Sequence, residues 1–87
     1  MSDIRLSVDR MVNELKHERD ELKVKLHLAR MDAGDEWHKL ETRLAKLDAK
    51  ARELGNATAE ASHEIGAAAK LLGEEIRKGL KTIGKHL

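Results

Sequence analysis

Two Glu-x-x-His pairs, Glu14–His17 and Glu60–His63, match by residue type and spacing a known metal-binding arrangement. In bundles that hold two metal ions this spacing brings a carboxylate and an imidazole to one inward helix face. Here the arithmetic turns them outward. On a helix, Glu14 lies about 100° and His17 about 200° from the apolar Leu15, and Glu60 and His63 stand in the same relation to Ala61. Both pairs are expected to be solvated surface residues, and no metal is expected. His17, His27 and His38 recur after ten and eleven residues, which spreads them along one flank. Such a stripe could sense pH, because histidine is the side chain that changes charge near neutrality. Ordinary exposed histidines are the simpler account. No nucleophile–base arrangement, phosphate-binding glycine loop or catalytic acid pair is found. The chain is therefore expected to be non-enzymatic and to use no cofactor.

The composition narrows the elements that could position any site. Of 87 residues, 38% are charged and 1% aromatic, with one Trp, six Gly, and no Pro, Cys, Phe or Tyr. This excludes a disulfide scaffold or thiolate metal site, and it disfavours all-β architectures. Ala, Glu, Lys, Leu and Arg dominate, as in long helices and coiled coils. Seventeen basic against sixteen acidic residues leave a net charge of +1, which argues against a dedicated nucleic-acid binder. No apolar run approaches a membrane span or a signal-peptide core, so a cytoplasmic protein is expected.

Apolar spacing is the strongest signal. Ile4, Val8, Met11, Leu15, Leu22, Leu26, Ala29, Ala33, Trp37, Leu40, Leu44, Leu47, Ala51 and Leu54 form one seam, interrupted only at Glu18. Its period is about 3.57 residues, between a heptad coiled coil and a straight helix. Residues 22–28 (Leu-Lys-Val-Lys-Leu-His-Leu) alternate like a strand, but helix-forming flanks favour a helix with a broadened apolar face. Gly34 could make a turn with Asp35 as the following N-cap. The seam keeps its phase from Ala29 through Ala33 to Trp37, so one charged helix over 1–54 is expected. A break follows at 55–57, with Gly55 as a left-handed cap and Thr58 capping the next helix. One unbroken helix, with the seam continuing through Thr58, Ala61 and Ile65, is the alternative.

Residues 58–87 are expected to form a Gly/Ala-rich amphipathic helix. Ile65, Ala68, Ala69, Leu72, Ile76, Gly79, Leu80, Ile83 and Leu87 share a face, with Gly66, Gly73 and Gly84 along one edge. The glycines weaken this helix, which should need a surface to fold on. Its basic groups (Arg77, Lys78, Lys81 and Lys85) come late, as the helix dipole favours.

The layout resembles small bacterial coiled-coil proteins of a stress-associated type, which pair a long charged helix with a short Gly/Ala-rich amphipathic one. The resemblance rests on Asp35-Glu36-Trp37 and on Ile65-Gly66-Ala67-Ala68-Ala69-Lys70-Leu71-Leu72-Gly73-Glu74-Glu75-Ile76. It implies an all-α fold and a coiled-coil or helical-hairpin oligomer, and it implies no particular activity.

A helix of this length, about 78 Å, cannot bury its own seam. A non-enzymatic, self-associating scaffold or adaptor is therefore expected, with Leu15, Leu22, Leu26, Trp37, Leu40, Leu44, Leu47 and Leu54 at a homo-oligomer interface, or else against a helical partner. Trp37 would be a packing anchor there. The alternative is a peripheral membrane protein. Its anionic-membrane face would be Ile65, Leu72, Ile76, Leu80 and Ile83, flanked by Arg77, Lys78, Lys81 and Lys85.

Overall fold

The computed structural model describes residues 2–32 and 34–87. The fold is all-α. Three helices, α1 (Ser2–Leu28), α2 (Gly34–Gly55) and α3 (Ala59–Lys85), run down, up and down in a bundle about 46 Å long. Helix α3 packs most extensively on α2, and the α1–α2 interface is the smallest of the three. Helices α1 and α3 are parallel in a fixed register. Ile4 meets Gly66 and Met11 meets Gly73, so each α1 residue is level with the α3 residue 62 positions later.

The expected single helix over 1–54 does not form, because the chain reverses between Leu28 and Gly34. The local chemistry is a complete Schellman cap. The Met31 N–H donates to the Leu26 carbonyl at 3.0 Å and the Arg30 N–H to the His27 carbonyl at 3.1 Å. Arg30 takes the left-handed position with φ 55°, where glycine is usual. Met31 and Leu26 line the same cleft, which supplies the hydrophobic pair that accompanies this cap. The next helix opens with the Gly34 N–H donated to the Asp32 carboxylate at 2.9 Å, so Asp32 and not Asp35 satisfies the start of α2. Gly34 itself has φ 52°. A straight rod would leave much of the seam in water, whereas the reversal closes it on itself.

The second break matches expectation in place but not in detail. Thr58 caps α3, its hydroxyl accepting the Ala61 N–H at 3.3 Å. Gly55 ends α2 without a positive φ; the Asn56 and Ala57 N–H groups close the turn on Glu53 and Leu54 carbonyls. The unbroken-helix alternative is not adopted.

The core is almost wholly aliphatic. Val8, Val12, Leu15, Leu22 and Leu26 come from α1, Leu40, Leu44, Leu47 and Leu54 from α2, and Ala69, Ile76, Leu80 and Ile83 from α3. Ile4, Met11, Trp37, Ala51, Ile65 and Leu72 pack around it. The glycine edge of α3 explains how α1 comes so near. A Cβ on buried Gly66 would sit 2.6 Å from Ile4 Cγ2, and one on Gly73 would collide with Met11 Sδ. Gly84 has nothing within 4 Å.

Two stability predictions follow from this packing. Leu47→Ala removes a side chain with 0% exposure, so urea denaturation should show a loss of about 2–5 kcal/mol. The glycines should separate. G84A should gain about 0.5–1 kcal/mol from helix propensity alone. G66A should lose stability, because its methyl must displace β-branched Ile4 at a cost of about 1–3 kcal/mol. Thermal unfolding of both variants checks the opposite signs.

Candidate functional site

The fold packs both sequence-derived contact surfaces into the core of one chain. Leu15, Leu22, Leu26, Leu40, Leu44, Leu47 and Leu54 are buried within one chain, and Trp37 is half-buried at the core margin. They are not available as an oligomer face in this arrangement, because α1 folds back on α2 and α3 supplies the third wall. On α3, Ile76, Leu80 and Ile83 are buried and Ile65 and Leu72 are half-buried against the same core. The apolar face once assigned to a membrane is thus occupied by α1 and α2. The flanking Arg77, Lys78, Lys81 and Lys85 remain exposed. Arg77 reaches Glu14, with Nη2 3.8 Å from Oε2.

The Glu-x-x-His pairs stay on the surface as expected. Glu14 faces Arg77, while His17 Nε2 lies 2.8 Å from Glu21 Oε1. Glu60 and His63 are exposed. Among the described residues no group of three His, Asp or Glu side chains is placed to hold a metal. The histidine stripe is split by the chain reversal. His27 and His38 share one end of the bundle with His86, and His17 lies apart on α1.

That end is the most distinctive surface. It is built from the C-terminus of α1, the turn, the first turns of α2 and the C-terminus of α3. By the α1–α3 register Leu22 is level with Gly84, so this end comprises residues 22–40 and 84–87. These carry five Lys and Arg against three Asp and Glu, a net charge of +2, and the remainder has twelve against thirteen, a net charge of −1.

Exposed apolar side chains collect at the same end. Val24 is 57% exposed, Leu28 76%, Met31 41% and Leu87 46%. The other exposed large apolar residues, Leu6 and Leu71, lie elsewhere on the surface. By the α1–α3 register, Leu87 is level with Lys25. A shallow cleft of about 520 Å³ opens among Leu26, Met31, Asp32, Glu36, Thr82, Ile83 and His86. The signal in the sequence was the alternating stretch 22–28. Leu22 and Leu26 turn into the core, and Val24 and Leu28 are left outside on the opposite face.

A second groove, about 610 Å³, lies between α1 and α2 towards the other end. Charged side chains dominate its rim. Lys16 Nζ is 3.2 Å from Asp48 Oδ1, and Arg52 Nη2 is 3.1 Å from Asp48 Oδ2. Lys16 and Arg52 thus bracket the Asp48 carboxylate, one on each oxygen. No family model matches the chain, and the comparisons with curated proteins and with solved structures found no match. Also, no helix of the described residues is long and apolar enough to cross a membrane.

The Lys16–Asp48 pair tethers α1 to α2 and the Arg52–Asp48 pair lies within α2; both are partly exposed, so they contribute little. Asp48→Asn should cost less than about 1 kcal/mol. Denaturation of this variant beside L47A should show the neighbouring aliphatic position to be several-fold more costly.

Proposed function

We propose that this protein is a non-enzymatic helical adaptor that docks end-on at an anionic membrane surface, on the cytoplasmic side. The observation that carries the proposal is the coincidence of a basic excess of +2 with four exposed large apolar side chains at one end of the bundle. Either feature alone is ordinary. Together they supply both terms of interfacial adsorption: apolar side chains for the headgroup–acyl boundary and cations for the anionic lipid. Each Lys or Arg brought near such a surface contributes about 1 kcal/mol at physiological salt. Lys23, Lys25, Arg30, Lys81 and Lys85 lie on the elements that form this end. Partial burial of Val24, Leu28, Met31 and Leu87 adds roughly 1 kcal/mol each, below the full-burial value because they are already partly covered.

This mode differs from a surface-lying amphipathic helix. The apolar face of α3 stays in the bundle core, and the bundle need not unfold to bind.

Flotation with phosphatidylglycerol-containing vesicles tests the proposal. The native chain should float at low salt, float less as salt rises, and remain unbound to neutral vesicles. The double variant V24D/L28D, at two exposed positions outside the cap, should keep its helicity and lose most of its lipid binding. Flotation of this variant equal to the native chain would overturn the proposal.

A further inference from the structure

The reversal between α1 and α2 leaves one pattern in the sequence unexplained. In the folded bundle, residues 29–32 lie outside both helices, and a turn imposes no helical phase on the apolar residues around it. The seam nevertheless passes from Leu22 and Leu26 through Ala29, Ala33 and Trp37 to Leu40 without losing register. That continuity has a use only if the segment is sometimes helical. Its composition permits this, because Ala29-Arg30-Met31-Asp32-Ala33 are compatible with a helix and contain no proline.

The turn also carries backbone strain. Arg30 occupies the left-handed region at φ 55°, a conformation that disfavours residues with a Cβ. Straightening the segment would relieve it. Straightening must break both interfaces of α1, the smallest of the three with α2 and the larger one with α3. The α2–α3 hairpin, the most extensive, would be left intact.

We propose that the connection between Leu28 and Gly34 is a hinge, and that the chain opens there to exchange α1 with a second copy of itself. This inference rests on the hinge and the seam, and it is independent of the lipid-docking proposal. In the open form, Ser2–Gly55 becomes one helix about 80 Å long. Two such helices run antiparallel about a two-fold axis at the hinge. Each α1 then packs on the partner's α2–α3 hairpin through the contacts it makes within one chain in the closed form. Domain exchange of this kind restores every core contact and closes on itself as a symmetric dimer. Around the axis the small side chains of Ala29 and Ala33 fall on the seam of both helices, so the long helices can approach closely. The occupant of the opened seam is thus a second copy, because only α1 of this chain carries Val8, Val12 and Leu15 in the spacing that the α2–α3 hairpin accepts.

Two substitutions in the hinge region, both away from the core, bias the equilibrium in opposite directions. Gly34 has φ 52° and open space where a Cβ would lie. Gly34→Ala therefore strains the closed turn and favours a continuous helix. Arg30→Gly relaxes the closed turn and disfavours the helix. Light-scattering mass should be measured from micromolar to millimolar protein for the native chain and both variants. The midpoint of dimer formation should fall about tenfold or more for G34A and rise about tenfold or more for R30G, with helicity preserved in all three.

Exchange is distinguished from simple association by the Lys16–Asp48 pair, whose 3.2 Å contact suits a carbodiimide cross-link. Chains labelled with light and heavy nitrogen are mixed, allowed to re-equilibrate and cross-linked. The dimer fraction should yield Lys16–Asp48 peptides that join one light and one heavy half. A G34A mass that never exceeds that of the native chain would overturn the proposal, as would dimers whose Lys16–Asp48 links are all of a single isotope.

Discussion

The structure depends on one constraint: a seam about fifty residues long, made almost entirely of short aliphatic side chains, must be removed from water. With one aromatic residue in 87, no single side chain can fill a wide interior. The core must therefore be narrow, and a bundle about 19 by 17 Å in cross-section meets that need. Close approach in turn requires small residues at the contact, which is where Gly66 and Gly73 stand against Ile4 and Met11. Glycine lowers helix propensity in α3, but it permits the packing that stabilises the same helix. Propensity and packing oppose each other at these two positions, and packing decides the outcome.

The same constraint accounts for what was legible in the sequence. The 3.6-residue period identified the helices, and it selected the buried set on α2 and α3 almost residue by residue, because periodicity reports which face is buried whatever covers it. The break after Gly55 and the Thr58 cap were legible from local chemistry. The reversal between Leu28 and Gly34 was not. Its left-handed position is filled by Arg30 and not by glycine, so the usual marker is absent. A closer reading of the cap could have found it in the pairing of apolar Leu26 and Met31 around that residue, followed by Asp32 two positions before Gly34. Periodicity also cannot say whether a face is covered by the same chain or another, which is why seam residues of the core read as an oligomer interface.

The basic, apolar end was legible only in part. The late lysines of α3 were evident, but their meeting with Lys23, Lys25 and Arg30 depends on the parallel alignment of α1 and α3, which in turn depends on the reversal. The strand-like alternation of residues 22–28 was a faithful record of two apolar faces on one helix. Leu22 and Leu26 serve the core and Val24 and Leu28 serve the surface. Had the second pair been polar, the segment would have read as an ordinary amphipathic helix and the end of the bundle would have been fully solvated.

The hinge and the exposed end occupy the same part of the molecule, and this has a physical consequence. Met31 and Arg30 belong to both: they form the Schellman cap that closes the bundle and contribute to the basic apolar surface. Any contact that buries Met31 while it caps α1 favours the closed form, since a ligand shifts a conformational equilibrium by its difference in affinity for the two states. Straightening the connection between Leu28 and Gly34 would draw Met31 into a helix, separate α1 from α3 of the same chain, and disperse the exposed apolar side chains of that end. Surface docking of the closed bundle and exchange between copies would therefore compete. The side chain at position 30 is central to that balance: as arginine it adds a cation to the docking end and at the same time weakens the turn that holds that end together.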